Sequence, residues 1–308
     1  MIKVNKRGFV PMRLLAFSII LCTAVLYSHT EDTLPDDKET PQYAAKDTRH
    51  SNIIFTLEKF LFGVDSKAVT DRLGYISLAR CIGWLKAAQL AIPGITGASQ
   101  QEEFFNLLAK IQLPEFKKHQ SIRYRDKEIP DILYHCWLGT TDNKTLLRIY
   151  RANIKQNTEL YDVEKKTLYN GAALATTDYH TILTRIDDGI ELVKQLKENT
   201  QHKLYLILNG NKEIVATLKK EHTDVFDLFD EVITSSEAQA INTQKEMYQY
   251  IMKEYNLNPE NTVAVITFNS NKKAALQAGL QIINAKKQQF GYAEEQLKNM
   301  GLFKKSKS

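Results

Sequence analysis

The sequence predicts an α/β protein built on a parallel sheet covered by helices. Three patterns lead there. The second half alternates apolar strand runs with helical periods, the first half is helical after one short apolar strand, and a separate apolar segment stands near the N-terminus. At 308 residues and 43% hydrophobic side chains, the chain can bury a substantial core.

In chain order, a basic stretch with Lys3, Lys6, Arg7 and Arg13 leads into the apolar and small-residue run LLAFSIILCTAVLY, Leu14 to Tyr27. That run is shorter than the roughly 20 residues a helix needs to cross a hydrocarbon core. A charged region followed by a short apolar one is the signal-peptide pattern. Residues 1–28 are therefore expected to be a signal peptide or, if uncleaved, a membrane anchor that tethers the protein through Leu14–Tyr27. Cys22-Thr23-Ala24 offers small residues for cleavage and Leu26-Tyr27-Ser28 is a poorer option, so a cleaved chain would begin between about Val25 and His29. The expected destination is the periplasm or the medium after cleavage, a membrane otherwise. Residues 29–51 are polar and aperiodic and read as a linker.

The apolar segment NIIFTLEKFLF, Asn52 to Phe62, places a buried strand at Ile53, Ile54 and Phe55. From Ser66 to Thr176 apolar residues recur at helical spacing, as in Leu73 to Ile92 and Glu102 to Ile111, with breaks at Pro93-Gly94, Pro114 and Pro130. No β-branched run interrupts them, so residues 66–176 are expected to be a helical insert. Beyond it come a helix Asp187 to Lys197, a strand Lys203 to Leu208, a helix Lys212 to Lys220 and a strand Glu231 to Thr234. A helix Thr243 to Tyr255, a strand Thr262 to Ile266, a helix Lys272 to Ala278 and a strand Gln281 to Ile283 follow, and an amphipathic helix after Lys286 ends the fold. Right-handed crossovers then make a Rossmann-like, three-layer core from residues 52–65 and 177–302, with a ligand site at the carboxyl ends of the strands. Residues 303–308 form a basic tail.

The net charge of +5 resides at the ends, where Lys3, Lys6, Arg7, Arg13, Lys304, Lys305 and Lys307 lie, and the body between them is slightly acidic. No basic face for a nucleic-acid partner is expected. Of three cysteines, Cys22 falls in the apolar segment and lacks the preceding small residue of a lipoprotein site. Cys81 and Cys136 are too few for a disulfide framework, and whether they pair stays open. No CxxC or His-rich spacing suggests structural zinc.

Three blocks of the second half are informative together: LYLILNGNKEIVATLKKEHTDVFDLFDEVITSSEAQ from Leu204 to Gln239, EMYQYIMKEYNLNPENTVAVI from Glu246 to Ile266, and NKKAALQAGL from Asn271 to Leu280. With the first strand, they resemble the haloacid dehalogenase-like (HAD-like) superfamily, most closely its subgroup with a helical cap inserted after that strand. The resemblance covers Asn52 to Leu302 and carries four motifs in order. It implies an aspartate nucleophile, a second aspartate two residues later for acid/base work and, in phosphatase members, a magnesium ion.

The family pattern FDxDGxL falls on Phe55-Thr56-Leu57-Glu58-Lys59-Phe60-Leu61. Thr56 thus stands at the nucleophile position, Glu58 at the acid/base position and Lys59 at the glycine. Leu208 occupies the place of the Ser or Thr that bonds the phosphoryl group, and Asn242 that of the lysine, with Lys245 one helical turn on. Ile266 and Thr267 occupy the place of the metal-binding acidic pair. The resemblance therefore implies the fold with its catalytic motifs degenerate: no catalytic residues, no cofactor and a lost magnesium site.

Other candidates have plainer readings. His135-Cys136-Trp137 lies in the insert, where adjacent helical residues point in different directions. Asp65 would serve as nucleophile only if the first strand ended later. Asp187-Asp188 suits a helix N-terminus, and Asp224, Asp227 and Asp230 sit among Phe226 and Phe229 in a structural block. The expected protein is an exported, non-catalytic HAD-like pseudoenzyme that binds a protein or an uncharged small ligand. The alternatives are a weak or divergent HAD-like hydrolase using Glu58 or Asp65, or a periplasmic ligand-binding module.

Overall fold

Strand β1, Asn52–Thr56, is buried at all five positions and lies in the middle of a five-stranded sheet. The structure, a computed structural model, describes residues 52–82, 104–116, 122–124, 127–199, 201–285 and 290–303. The expected signal or anchor, the linker and the part of the expected Leu73 to Ile92 helix beyond residue 82 lie outside them. Around β1 the order is β7-β6-β1-β8-β9, where β6 is Lys203–Leu208, β7 Glu231–Thr234, β8 Thr262–Ile266 and β9 Gln281–Asn284. All four pairings are parallel, and Phe55 is level with Leu206 on one side and Val265 on the other.

The alternation of strand side chains divides the core into two layers. Ile53, Phe55, Leu204, Leu206 and Val263 face one way and pack with Val193 and Leu196 of helix Asp187–Asn199 and Leu218 of helix Lys212–Glu221. Ile54, Tyr205, Ile207, Ala264 and Ile266 face the other, against Met247 and Ile251 of helix Lys245–Glu254 and Ala274 of helix Asn269–Gln277. Burying each such aliphatic side chain is worth about 1.5–3 kcal/mol. A strand with both faces covered must read as a continuous apolar run, which is why NIIF, LYLIL and VAVI do.

After β1 the chain makes one tight turn. Leu57 O accepts from the amides of Leu61 (3.0 Å) and Phe62 (3.2 Å), and Lys59 sits in the left-handed region at φ 59°. Strand β2, Phe62–Val64, then pairs antiparallel with β5, Leu183–Arg185. This pair spans the entry to and exit from residues 66–176. Gly189 presses on the turn so closely that a Cβ there would lie 1.9 Å from the Phe60 carbonyl oxygen.

Residues 66–176 carry helices Ser66–Leu73, Tyr75–Ile82, Asp131–Leu138, Asn143–Gln156 and Asp162–Ala175. Three expectations need correction. The helix expected from Leu73 starts at Tyr75, because Gly74 at φ 79° ends the helix before it. The insert also contains strands: β3, Arg123–Tyr124, pairs antiparallel with β4, Lys127–Glu128. Two residues per strand are too few for a period-two pattern to register. The helix expected from Thr243 starts at Lys245, since the preceding backbone is drawn into side-chain bonds, the Ile241 amide to Gln244 Oε1 and the Asn242 amide to Asn209 Oδ1. The terminal helix is Phe290–Asn299.

Gly189→Ala is expected to destabilise the protein by about 3 kcal/mol or more, because the clash is with backbone that cannot rotate away. Chemical denaturation of the two proteins checks this, and an unchanged midpoint would contradict the close approach.

Candidate functional site

Thr56, Leu208 and Ile266 end three adjacent strands, so the sheet register gathers these positions at one edge. Each is nearly inaccessible, at 1%, 1% and 0% exposure. Thr56 Oγ1 has no hydrogen-bond partner among the described residues. Leu208 and Ile266 side chains point into opposite layers of the core.

Asn242 is brought to the same edge from the loop after β7. Asn209, next to Leu208, donates from Nδ2 to Asn242 Oδ1 (2.9 Å), while the Asn242 amide donates to Asn209 Oδ1 (3.0 Å). The pair is neutral and closed on itself. Lys245, one turn on, is exposed. Thr267 does not point at a ligand either: its Oγ1 donates to the Glu58 carbonyl (3.0 Å), tying the end of β8 to the turn after β1.

Glu58 is the carboxylate among the motif positions, and its partner comes from the segment 66–176. The Tyr124 hydroxyl of β3 donates to Glu58 Oε2. Around the Tyr124 ring stand Trp137 at 5.6 Å, Phe105 at 6.2 Å and Phe268 at 6.5 Å between centroids. Lys59 Nζ lies 4.9 Å from the centre of the Phe268 ring, a cation over an aromatic face. Burial, and then the Glu58 charge, hold the Tyr179 phenol well above its ordinary pKa. Tyr179 also lines a cleft with Asn143, Thr176 and Glu213, where the insert meets helix Lys212–Glu221.

Further bonds cross the same seam. Ser235 Oγ donates to the Trp137 carbonyl (2.7 Å), Gln239 Nε2 to the Leu138 carbonyl (3.0 Å), Asn211 Nδ2 to Asn143 Oδ1 (2.7 Å) and Thr243 Oγ1 to the Arg123 carbonyl (3.1 Å). At φ 60°, Gly139 lets the chain pass Ser236, whose Cβ a new methyl would meet at 2.9 Å.

The remaining candidates are structural. His135 stacks on Phe116 at 4.1 Å, and its Nδ1 shares a hydrogen bond with Thr140. Cys136 is a free, buried thiol donating to Asn143 Oδ1, and burial, followed by the Glu213 charge, pushes its pKa up to about 12. Asp65 caps helix Ser66–Leu73 through the amides of Lys67 and Ala68. Asp187 and Asp188 occupy a first helical turn, Asp224 forms a two-pronged pair with Arg185, and Asp230 holds the Leu204 amide and Lys197. Among the described residues no group of three His, Cys, Asp or Glu side chains is placed to hold a metal ion. Tyr124, Asn211 and Ser235 carry no signal in the sequence as site residues, because each matters only through a partner distant in the chain.

A family model described as haloacid dehalogenase-like hydrolase matches residues 93–265, more than half of the chain. A search of curated proteins finds no match. Among solved structures, a HAD family enzyme from Bacteroides thetaiotaomicron superposes with a TM-score of 0.50 at 14% identity, covering 77% of this chain and 94% of that one. The same enzyme in complex with magnesium and inorganic phosphate gives 0.50 at 15% identity, over 77% and 95%. At that identity the likeness concerns the fold alone, a parallel sheet flanked by helices. Matched by the family's sequence model over more than half of its length, the chain belongs to the haloacid dehalogenase-like hydrolase family.

Proposed function

We propose that this chain is a non-catalytic member of its family, a pseudoenzyme that acts by binding a protein or an uncharged ligand. The observation that carries the reading is Thr56: the side chain at the nucleophile position is sealed in the core with its hydroxyl unpartnered. A hydroxyl needs an adjacent base to become a nucleophile, and Glu58 is engaged by Tyr124 instead.

The other parts of the family chemistry fare no better. Magnesium takes hard oxygen ligands in a near-octahedral shell, mostly carboxylates, waters and phosphate. The side chains here do not fit it, since Ile266 and Thr267 stand at the acidic pair and Glu58 is the only carboxylate of the motif positions. A dianionic phosphate would meet the neutral Asn209–Asn242 pair in place of a lysine, at an apolar edge where an uncompensated charge is costly to desolvate. Such groups act as a unit in catalysis, so loss of any one removes most of what the set provides and restoring one alone does little. We further propose export, supported by the charged and then apolar segment ending at Tyr27. No helix among the described residues is long and apolar enough to cross a membrane, and the tether proposed for an uncleaved chain is Leu14–Tyr27.

Two measurements test the reading. Purified protein is expected to hydrolyse p-nitrophenyl phosphate no faster than a buffer blank, with or without magnesium, and Thr56→Asp alone is expected not to rescue turnover. Magnesium-dependent turnover that Glu58→Gln abolishes would overturn it in favour of a weak hydrolase. Thr56→Val removes an unsatisfied buried hydroxyl at constant shape and is expected to stabilise the fold by about 1 kcal/mol, a rise of roughly 2–4 °C in Tm. A fall in Tm would mean that the hydroxyl has a bound partner and a use.

A further inference from the structure

Tyr124 is seated as a ligand would be. Its side chain is 1% exposed, three aromatic rings surround it, and its hydroxyl finds a carboxylate acceptor. Of these partners, Glu58 and Phe268 belong to the core, while Phe105 and Trp137 belong to the insert. The two-residue ladder that carries Tyr124 is far below the size at which a hairpin is stable alone. Beyond that ladder, its backbone is anchored by the Ile129 amide bond to the Ile122 carbonyl and the Thr243 bond to the Arg123 carbonyl.

The chemistry of the seat is selective. An ionised carboxylate only accepts hydrogen bonds, so it favours a donor and repels a phosphate or carboxylate. Two edge-on rings, Trp137 at 5.6 Å and Phe268 at 6.5 Å, with the tilted Phe105 ring at 6.2 Å, favour a flat aromatic guest. We propose that this seat is a binding site for a neutral phenol, with Tyr124 as its resident occupant, and that an external phenolic group binds by displacing it. The proposal rests on the binding reading above and supplies its ligand class. Its test reads binding and not turnover, so the two can fail separately.

The test uses the full chain with Tyr124→Ala, checked for native circular dichroism, and titrates it calorimetrically with p-cresol and with toluene. Tyr124→Ala is expected to bind p-cresol about tenfold more tightly than toluene, as one hydrogen bond to a charged group allows. Wild type is expected to bind p-cresol about tenfold more weakly than the variant, because a tethered occupant competes at high effective concentration. Adding Glu58→Leu is expected to erase the preference for p-cresol. A third probe, N-acetyltyrosinamide, separates sources: tighter binding than p-cresol assigns the site to a tyrosine of a partner protein, weaker binding to a small phenol. Equal binding of p-cresol and toluene, or binding of neither, would overturn the proposal. Should Tyr124→Ala not fold, Tyr124→Phe keeps the ring and removes the donor. Amide exchange at residues 122–129 is then expected to quicken about tenfold while Lys203–Leu208 is unchanged, and unchanged exchange at both would overturn the proposal.

Discussion

Everything at the cleft follows from the position of β1, a central parallel strand with both faces covered and a neighbour on each side. Such a strand has one place where it can leave the core, its carboxyl end, and whatever stands there is enclosed by the ends of β6 and β8. That enclosure suits a charge only if other charges converge to meet it. In this chain they do not. Leu208 and Ile266 are buried in the two apolar layers, Asn209 and Asn242 satisfy one another, and Tyr124 takes the Glu58 carboxylate.

The backbone nonetheless keeps a demanding geometry. Lys59, at the position where the resemblance implies a glycine, remains in the left-handed region, where a side chain costs about 1–2 kcal/mol. The turn persists because its surroundings dictate it: Leu57 O closes it, Thr267 ties it to β8, and Gly189 leaves no room for another path. Fold and chemistry are thus separable here. The packing that shapes the turn does not depend on the residue types at the motif positions, which is why family membership alone does not decide activity.

Much of the sheet was legible in the sequence, since buried parallel strands announce themselves as apolar runs. Lys203–Leu208, Glu231–Thr234 and Thr262–Ile266 coincide with the expected ranges. The β2 and β5 pair was not legible, because FGV and LTR are too short and mixed to show a pattern. The convergence of Thr56, Leu208 and Ile266 could be anticipated from strand ends and motif order. The partner of Glu58 could not: Tyr124 is 66 residues away in a ladder of two residues. The amide pair, 33 residues apart, and the seam bonds of Ser235 and Gln239 are likewise tertiary facts with no local signal.

We propose that the carboxyl end of β1 does not recognise a phosphoryl group, whatever else it binds. Calorimetric titration of the purified protein with orthovanadate in the presence of magnesium tests it most directly, because vanadate adopts the geometry of the transferring phosphoryl group and needs no turnover to be detected. No saturable heat is expected at any magnesium concentration. Stoichiometric, magnesium-dependent vanadate binding that Glu58→Gln weakens would contradict the account.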